Sequence, residues 1–577
     1  MSGKTGWLKY RSIKSLNKIL KNTTLVFLIV FVSSAFLLFF KLGDRGLRNP
    51  DEGRYAEIAK EMVLSGNWIE PKLYGVDYLR KPALFYWLVA LSFKWTGFSE
   101  GSARAVPALF GILGVCATFF FAKRFFDLKT AFYSSMLLIS NYWYLQIGRY
   151  LLIDMVFSFF LVAGLYLFYL GTQPSRHKRL YYALFYVCIS LSVLAKGIVG
   201  LALSAVSITL TLLWTRQLKE KIVEMNLGLG MLIFGILVGP WFFKMESLRP
   251  GFLNSFFLHE HLMRLVSKDY EHQAPWYFYL VLFPVTLVPW IFFGDAVKSA
   301  FSFLSDERSN RARLFLTLSA LAVIFVYSLS NSKLLTYMLP AVFFASVLLG
   351  HGFNEWEKAA PDKSFGRFSM AMMALLSFAA ILALFAVPLL PSFAPDLEAG
   401  FPVIYLEWIG GLVLAGSLLG WACLKKRRPR LFFGVFVMVM AGVSFVISDA
   451  MEDINDNYST RHFARDLKSR VKAEDEVFIY RQPGAFYDFG FYLDHPVKLV
   501  GLEGELELSK KEAQNQNTWV AYDEFEKILK QRKKVYCLIR KSDFLGINET
   551  IRKNLEVISQ DERKVLFQTR ASTGGTP

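Results

Sequence analysis

The chain has 577 residues, 54% hydrophobic, 16% aromatic and 19% charged. Apolar stretches of near-bilayer length recur along it, the mark of a polytopic α-helical membrane protein. The formal charge of +18 sits mostly in short gaps between apolar runs, as membrane orientation requires, and no soluble segment carries a basic face with interleaved aromatics, which argues against nucleic-acid binding.

In chain order, Lys14, Lys18 and Lys21 precede an apolar run at 24–40 that is long and lacks a small-residue cleavage motif, so an uncleaved signal anchor is expected. Further apolar segments fall at 104–122, 131–147, 151–170, 180–195, 198–214, 227–244, 276–293, 313–329, 335–350, 368–390, 403–423 and 431–447. That gives about thirteen spans. With the N-terminus inside, Lys123, Arg124 and Lys129, then Arg176, Lys178 and Arg179, then Arg216, Lys219 and Lys221, and finally the 425–430 cluster all fall on the inner side. The opposite loop at 395–398 carries Asp396 and Glu398 and no Lys or Arg, so the alternation is self-consistent. An odd span count then puts the tail outside, on the same face as Asp51.

Two outer loops are long. The first, 41–103, holds a helical pattern at 52–64 and a shorter apolar one at 84–95, too short to span and expected to lie along the interface. The second, 245–275, carries His259, Glu260, His261, Arg264 and His272. From about residue 449 the composition turns soluble. Strand-like runs at 476–480, 497–500, 519–522, 534–539 and 564–568 alternate with helical ones at 459–471 and 523–531. The chain thus divides into a membrane unit, 1–448, and a C-terminal soluble α/β domain, 449–577. Cys116, Cys188 and Cys423 lie in apolar runs and Cys537 in the polar tail. No CxxC or Cys/His spacing supports a disulfide framework or structural zinc.

The polar residues of the first outer loop are the strongest candidates for chemistry. Asp51 follows Pro50 and opens a helical pattern, so it reads either as an N-cap acid or as a general base. Glu52 beside it makes a carboxylate pair, in which one pKa can be pushed up. Arg54, Tyr78 and Lys81 are interface anchors on one reading and a phosphate clamp on the other, with Arg giving bidentate contacts and Lys a point charge. Asp154 lies within a span, where a charge is costly; it is either functional or a structural partner of Arg149 or Lys196. Lys196, in a tight outer turn, either joins it or snorkels. His259 and His261 flank Glu260 in a spacing unlike a zinc-protease helix, so they read as a weak metal site or as plain hydrogen-bonding groups. Tyr337 sits at the outer end of a span, the place of an aromatic-belt residue.

Taken in order, Pro50-Asp51-Glu52-Gly53-Arg54-Tyr55-Ala56-Glu57-Ile58-Ala59, Gly66-Asn67-Trp68, Lys81-Pro82, Tyr86-Trp87, His259-Glu260-His261 with Arg264, Pro275-Trp276-Tyr277 and Lys333-Leu334 to Pro340 resemble the aminoarabinose-transferase-like (ArnT-like) membrane glycosyltransferases. They are more distantly similar to protein O-mannosyltransferases, which share the GT-C fold. The resemblance covers most of the membrane portion. It implies a polyprenyl-phosphate-linked sugar donor used on the periplasmic face of the bacterial inner membrane, with lipid A or another envelope glycolipid as acceptor. It further implies inverting transfer without nucleotide, cofactor or obligate metal. By match of motif, Asp51 would be the main acid/base candidate. Arg54, Tyr78, Lys81, Arg264 and Tyr337 would bind the donor phosphate region, His259 would lie nearby, and Asp154 and Lys196 would shape the site. Relatives tend to carry an acidic residue before Lys-Pro, where a metal can bridge to the long loop's first histidine; here Arg80 stands there, so no metal is expected. A lipid-linked sugar transporter, or a protein O-glycosyltransferase, is the alternative reading.

Overall fold

The structure, a computed structural model, describes residues 22–258, 273–301, 307–359, 366–387, 402–454, 457–481, 483–501, 506, 518–531 and 534–570. Within them, nine helices are long and apolar enough to cross a membrane, among them Glu100–Phe125, Ile153–Gly171 and Lys178–Lys196. Two shorter apolar helices, Thr23–Phe39 and Val199–Trp214, accompany them. The expected segment at 131–147 is not one helix. It breaks at Asn141 into Leu128–Ser140 and Tyr142–Arg149, because the Asn141 side chain accepts from the Tyr144 N–H and starts a new helix. The segment at 276–293 is broken too, into Phe278–Thr286, a 3₁₀ turn at Trp290–Phe292 and the helix Gly294–Phe301. The two breaks meet: Asn141 Nδ2 donates to the Thr286 carbonyl at 2.6 Å. Each frees backbone groups that apolar surroundings leave without water, and this contact satisfies one of them. Counting the broken pair, the chain is a polytopic α-helical membrane protein with a soluble C-terminal domain.

The first outer loop folds as a helix, Asp51–Ser65, a two-stranded ribbon (β1, Lys72–Leu73; β2, Val76–Asp77) and a second helix, Leu84–Thr96. Gly66 ends the first helix in the left-handed region, at φ 70°. The second helix buries Phe85, Tyr86, Val89 and Phe93 while Trp95 is exposed, as an interfacial helix should. Arg249, at the end of the Leu227–Leu248 helix, pairs with Asp77 at 2.5 Å and Glu70 at 3.1 Å, tying the two outer loops together.

The tail forms a six-stranded sheet of order β5-β4-β3-β6-β8-β7, where β3 is Glu476–Tyr480, β4 Val497–Val500, β5 Trp519–Val520, β6 Val535–Arg540, β7 Leu555–Gln560 and β8 Lys564–Thr569. β3, β4, β5 and β6 are parallel, and β8 and β7 run antiparallel at one edge. Strand alternation sorts the side chains onto two faces. Phe478, Val500, Cys537 and Phe567 pack with Phe525 of the Tyr522–Lys530 helix. Val477, Ile479, Leu499, Tyr536 and Leu566 join a buried cluster continuous with the membrane bundle. The sheet therefore lies against the outer loop rather than hanging from a linker. Cys537, expected in a polar tail, is a central-strand core residue.

Candidate active site

Asp51 is the first residue of its helix. Pro50 occupies the cap position and no side chain caps there, so the N-cap reading of Asp51 gives way to a first-turn acid favoured by the helix dipole. Its side chain is about half exposed and pairs with Arg54 one turn on, whose own side chain is buried. The i, i+3 spacing sets both on one face of the helix. The Arg54 guanidinium also lies 5.0 Å from the Tyr55 ring centre and 5.7 Å from that of Tyr78.

Glu52 points elsewhere. It is 1% exposed and accepts from Arg104 Nε at 2.8 Å, Arg104 Nη2 at 2.9 Å, the Leu151 N–H at 2.9 Å and the Arg48 N–H at 3.0 Å. Arg45 approaches it at 3.5 Å. Burial by itself raises this carboxyl, but the charges of Arg104 and Arg45 and the Arg104 and Leu151 donors overcome it and hold the pKa at about 2. The expected carboxylate pair does not form, and Glu52 has no proton to exchange near neutrality. The same Arg104 donates to the carbonyls of Leu42, Arg45 and Gly46, so one guanidinium organises the whole segment that leads into Asp51.

Asp154 opens the Ile153–Gly171 helix and pairs with Lys196 at 2.5 Å; both are buried. Arg149, the other partner considered, instead donates to the Leu37 carbonyl at 2.8 Å. Lys196 does not snorkel to water. Its ammonium sits 4.2 Å from the Tyr337 ring centre, and Tyr337 stacks on Tyr327 at 4.6 Å. Two members of this group escape notice in the sequence. Tyr327 sits inside an apolar run with nothing to mark it. Tyr55 stands within the motif, and the signal was its place between two charged turns. Its ring lies under the Arg54 guanidinium and packs on Phe85 and Tyr86. Burial pushes its hydroxyl upward; Arg54 lowers it, and Asp51 and Asp154 both raise it. One phenol feels both carboxylates. Two groups result: Asp51, Arg54, Tyr55 and Tyr78 in the outer loop, and Asp154, Lys196, Tyr337 and Tyr327 at the ends of the bundle helices.

Lys81 lies half-buried in the turn before Leu84. His259 and Arg264 fall outside the described residues. Arg80, which stands before Lys81-Pro82, has no lone pair to offer a cation.

Known proteins resemble this chain in sequence and in fold. The family model described as dolichyl-phosphate-mannose-protein mannosyltransferase matches residues 23–305. An undecaprenyl phosphate-alpha-4-amino-4-deoxy-L-arabinose arabinosyl transferase of Shewanella sediminis is 27% identical over 490 residues, 83% of this chain and 87% of that protein. One from Pseudomonas fluorescens, carrying the same description numbered 2, is 30% identical over 335 residues, 58% and 60% of the two chains. Among solved structures, ArnT from Cupriavidus metallidurans bound to undecaprenyl phosphate superposes with a TM-score of 0.82 at 23% identity, covering 95% of this chain and 99% of its own. The archaeal oligosaccharyltransferase AglB of Archaeoglobus fulgidus follows at 0.50 and 12%, covering 89% and 69%. The fold and these relatives together show a membrane glycosyltransferase, similar to the ArnT-like enzymes of GT-C fold and more distantly to the protein O-mannosyltransferases.

Proposed function

We propose that the chain moves a sugar, 4-amino-4-deoxy-L-arabinose by analogy with its relatives, from undecaprenyl phosphate to lipid A or a related envelope glycolipid on the periplasmic face of the inner membrane. The observation that carries this is the pair of carboxylate–cation couples, Asp51 with Arg54 on the outer-loop helix and Asp154 with Lys196 at the end of a membrane-spanning helix. Such a constellation suits a reaction that removes one proton and releases one anion. The acceptor hydroxyl attacks the anomeric carbon; its proton passes to Asp51, and the electrons of the broken C–O bond leave on the lipid phosphate, with inversion. Arg54 and Lys81 hold that phosphate, whose charge is already present before the bond breaks, so the cations favour its departure. Tyr78 and Tyr337 wall the site with rings. Lys196, held by Asp154 and laid on Tyr337, presents a further fixed positive charge, and buried, partnered charges cost no reorganisation during the reaction. Arg264 and His259, by motif, complete the donor side from the second outer loop.

The test is transfer by purified protein in detergent from the polyprenyl-linked donor to lipid A. Asp51→Asn, expressed and folded as wild type, is expected to lose at least about a hundredfold in turnover. Wild-type turnover by that variant would remove Asp51 from the mechanism. The match to a protein mannosyltransferase model makes a protein acceptor the second reading. Mass spectrometry of lipid A and of secreted proteins, with and without the chain, separates the two by which one carries the added sugar.

A further inference from the structure

We propose that the C-terminal domain positions Asp51 for catalysis, with Asp488 and Tyr74 as positioning residues that touch no substrate. The proposal rests on the glycosyltransferase reading above and adds a role for a domain which that reading leaves idle.

The segment before Asp51 is gripped from two sides. From the bundle, Arg104 takes the carbonyls of Leu42, Arg45 and Gly46. From the tail, Arg461 donates to the Asp44 carbonyl at 3.0 Å, the Tyr492 hydroxyl accepts the Leu47 N–H at 2.7 Å, and the Tyr458 carbonyl accepts the Asn49 N–H at 3.1 Å. The Asn49 side chain is used at both ends. Its NH₂ donates to the Asp488 carboxylate and, at 3.1 Å, to the Ala485 carbonyl; its oxygen accepts the Asp488 N–H at 3.1 Å. Asp488 is fully buried and fixed by Ser459 Oγ at 2.6 Å, the Thr460 N–H at 2.7 Å and Thr460 Oγ1 at 2.8 Å. Asn49 stands two residues from the acid, so a shift here is a shift of Asp51.

Two glycines let the surfaces close. A Cβ on Gly53, between Asp51 and Arg54, would stand 2.5 Å from the Asp488 nitrogen and overlap the Asn49 amide oxygen. A Cβ on Gly490 would stand 2.6 Å from the Tyr74 ring and 2.7 Å from the Glu57 carboxylate. Each glycine therefore serves a backbone approach that no other residue permits. Farther along the helix, Lys60 donates to the carbonyls of Gly490, Phe491 and Leu493 at 2.8, 3.0 and 3.3 Å. The Tyr74 hydroxyl lies 3.1 and 3.0 Å from the Phe486 and Tyr487 carbonyls and accepts the Gly490 N–H at 3.2 Å. An acid misplaced by about an ångström loses on the order of a hundredfold in rate. Hydrogen bonds to both ends of the Asn49 side chain and to its backbone hold the residue two before the acid.

The experiment uses the full chain, the undecaprenyl-linked sugar as donor and lipid A as acceptor, with thermal midpoint recorded for every variant. Asp488→Asn and, as the milder change, Tyr74→Phe are expected to lower kcat roughly tenfold while donor KM stays within about threefold. The exchange Asn49→Asp with Asp488→Asn restores an amide facing a carboxylate and is expected to recover most of the lost kcat. A purely structural role would instead lower the thermal midpoint and leave kcat per folded molecule untouched. Wild-type kcat in folded Tyr74→Phe, or in folded Asp488→Asn, overturns the proposal. So does a loss of kcat that merely tracks loss of folded protein. Should Asp488→Asn not fold, Tyr74→Phe alone decides. Asp51→Asn runs alongside: no transfer by the wild type fails the functional reading, wild-type turnover by Asp51→Asn removes Asp51 and the positioning role with it, and an inactive Asp51→Asn beside fully active dock variants sinks only the positioning role.

Discussion

Asp51 and Glu52 differ by one methylene and one position, yet the fold gives them unlike lives. Asp51 faces outward with a single cationic partner. Glu52 turns inward onto Arg104, a fully buried guanidinium with which it shares two hydrogen bonds. Removing one member of a buried pair strands the other, so Glu52→Gln is expected to cost about 3–5 kcal/mol of stability. The measurement is thermal unfolding in detergent, and Asp51→Asn should show no comparable loss. The sequence alone could not tell the two acids apart, since the residue that separates them, Arg104, stands 52 positions away. Asp154 poses the same difficulty. Arg149 and Lys196 were both plausible partners by spacing, and only tertiary contact chose Lys196. Lys196→Met keeps the stem's bulk but leaves Asp154 buried and unpaired. Transfer in that variant is expected to fall at least about tenfold, with Asp154→Asn/Lys196→Met folding better than Lys196→Met alone.

Elements were more legible than partners. The strands at 476–480 and 497–500 were placed to the residue, because hydrophobic β-branched and aromatic runs between turn residues carry their own signal. β7 escaped: it is an edge strand with exposed Glu556 and Val557, so neither alternation nor a continuous apolar run marks it. The helix breaks at Asn141 and at 287–293 escaped for the opposite reason, since hydropathy reads straight through them. The Asp51–Ser65 helix carries a pH dependence of its own. Glu57 is buried under the tail, and burial, then the neighbouring Glu61 carboxylate, raises it to about 8. Lys60 opposes that rise and Asp488 adds to it. A carboxyl whose folded pKa exceeds its unfolded one binds more protons when folded, so its contribution is full below about pH 4.5 and is lost as pH climbs through about 8. The dock is thus expected to loosen in mild alkali. Hydrogen exchange at residues 486–493 should quicken between pH 7 and 9, and Glu57→Gln should flatten that response.

At the scale of the molecule, the alternation of basic loops predicts an orientation that can be measured. Cysteines placed at Arg176 and at Lys530 are expected to react oppositely with an impermeant maleimide added to intact spheroplasts, the second labelled and the first protected. The reverse pattern would turn the proposed site toward the cytosol. Membrane class and a C-terminal domain with a sheet were legible in hydropathy and composition, and the GT-C fold in the resemblance. The seating of the tail on the loop was not, because Asn49 and Asp488 lie 439 residues apart and neither belongs to a recognisable pattern.

That separation has a consequence in time. Asn49 leaves the ribosome long before Asp488 exists, and the pocket between Gly53 and the tail can close only once the sheet is made. A nascent bundle, already inserted among its lipids, therefore has only the Arg104 half of its grip until translation is nearly over, and on the proposed role a product truncated before Asp488 would turn over more slowly than the whole chain.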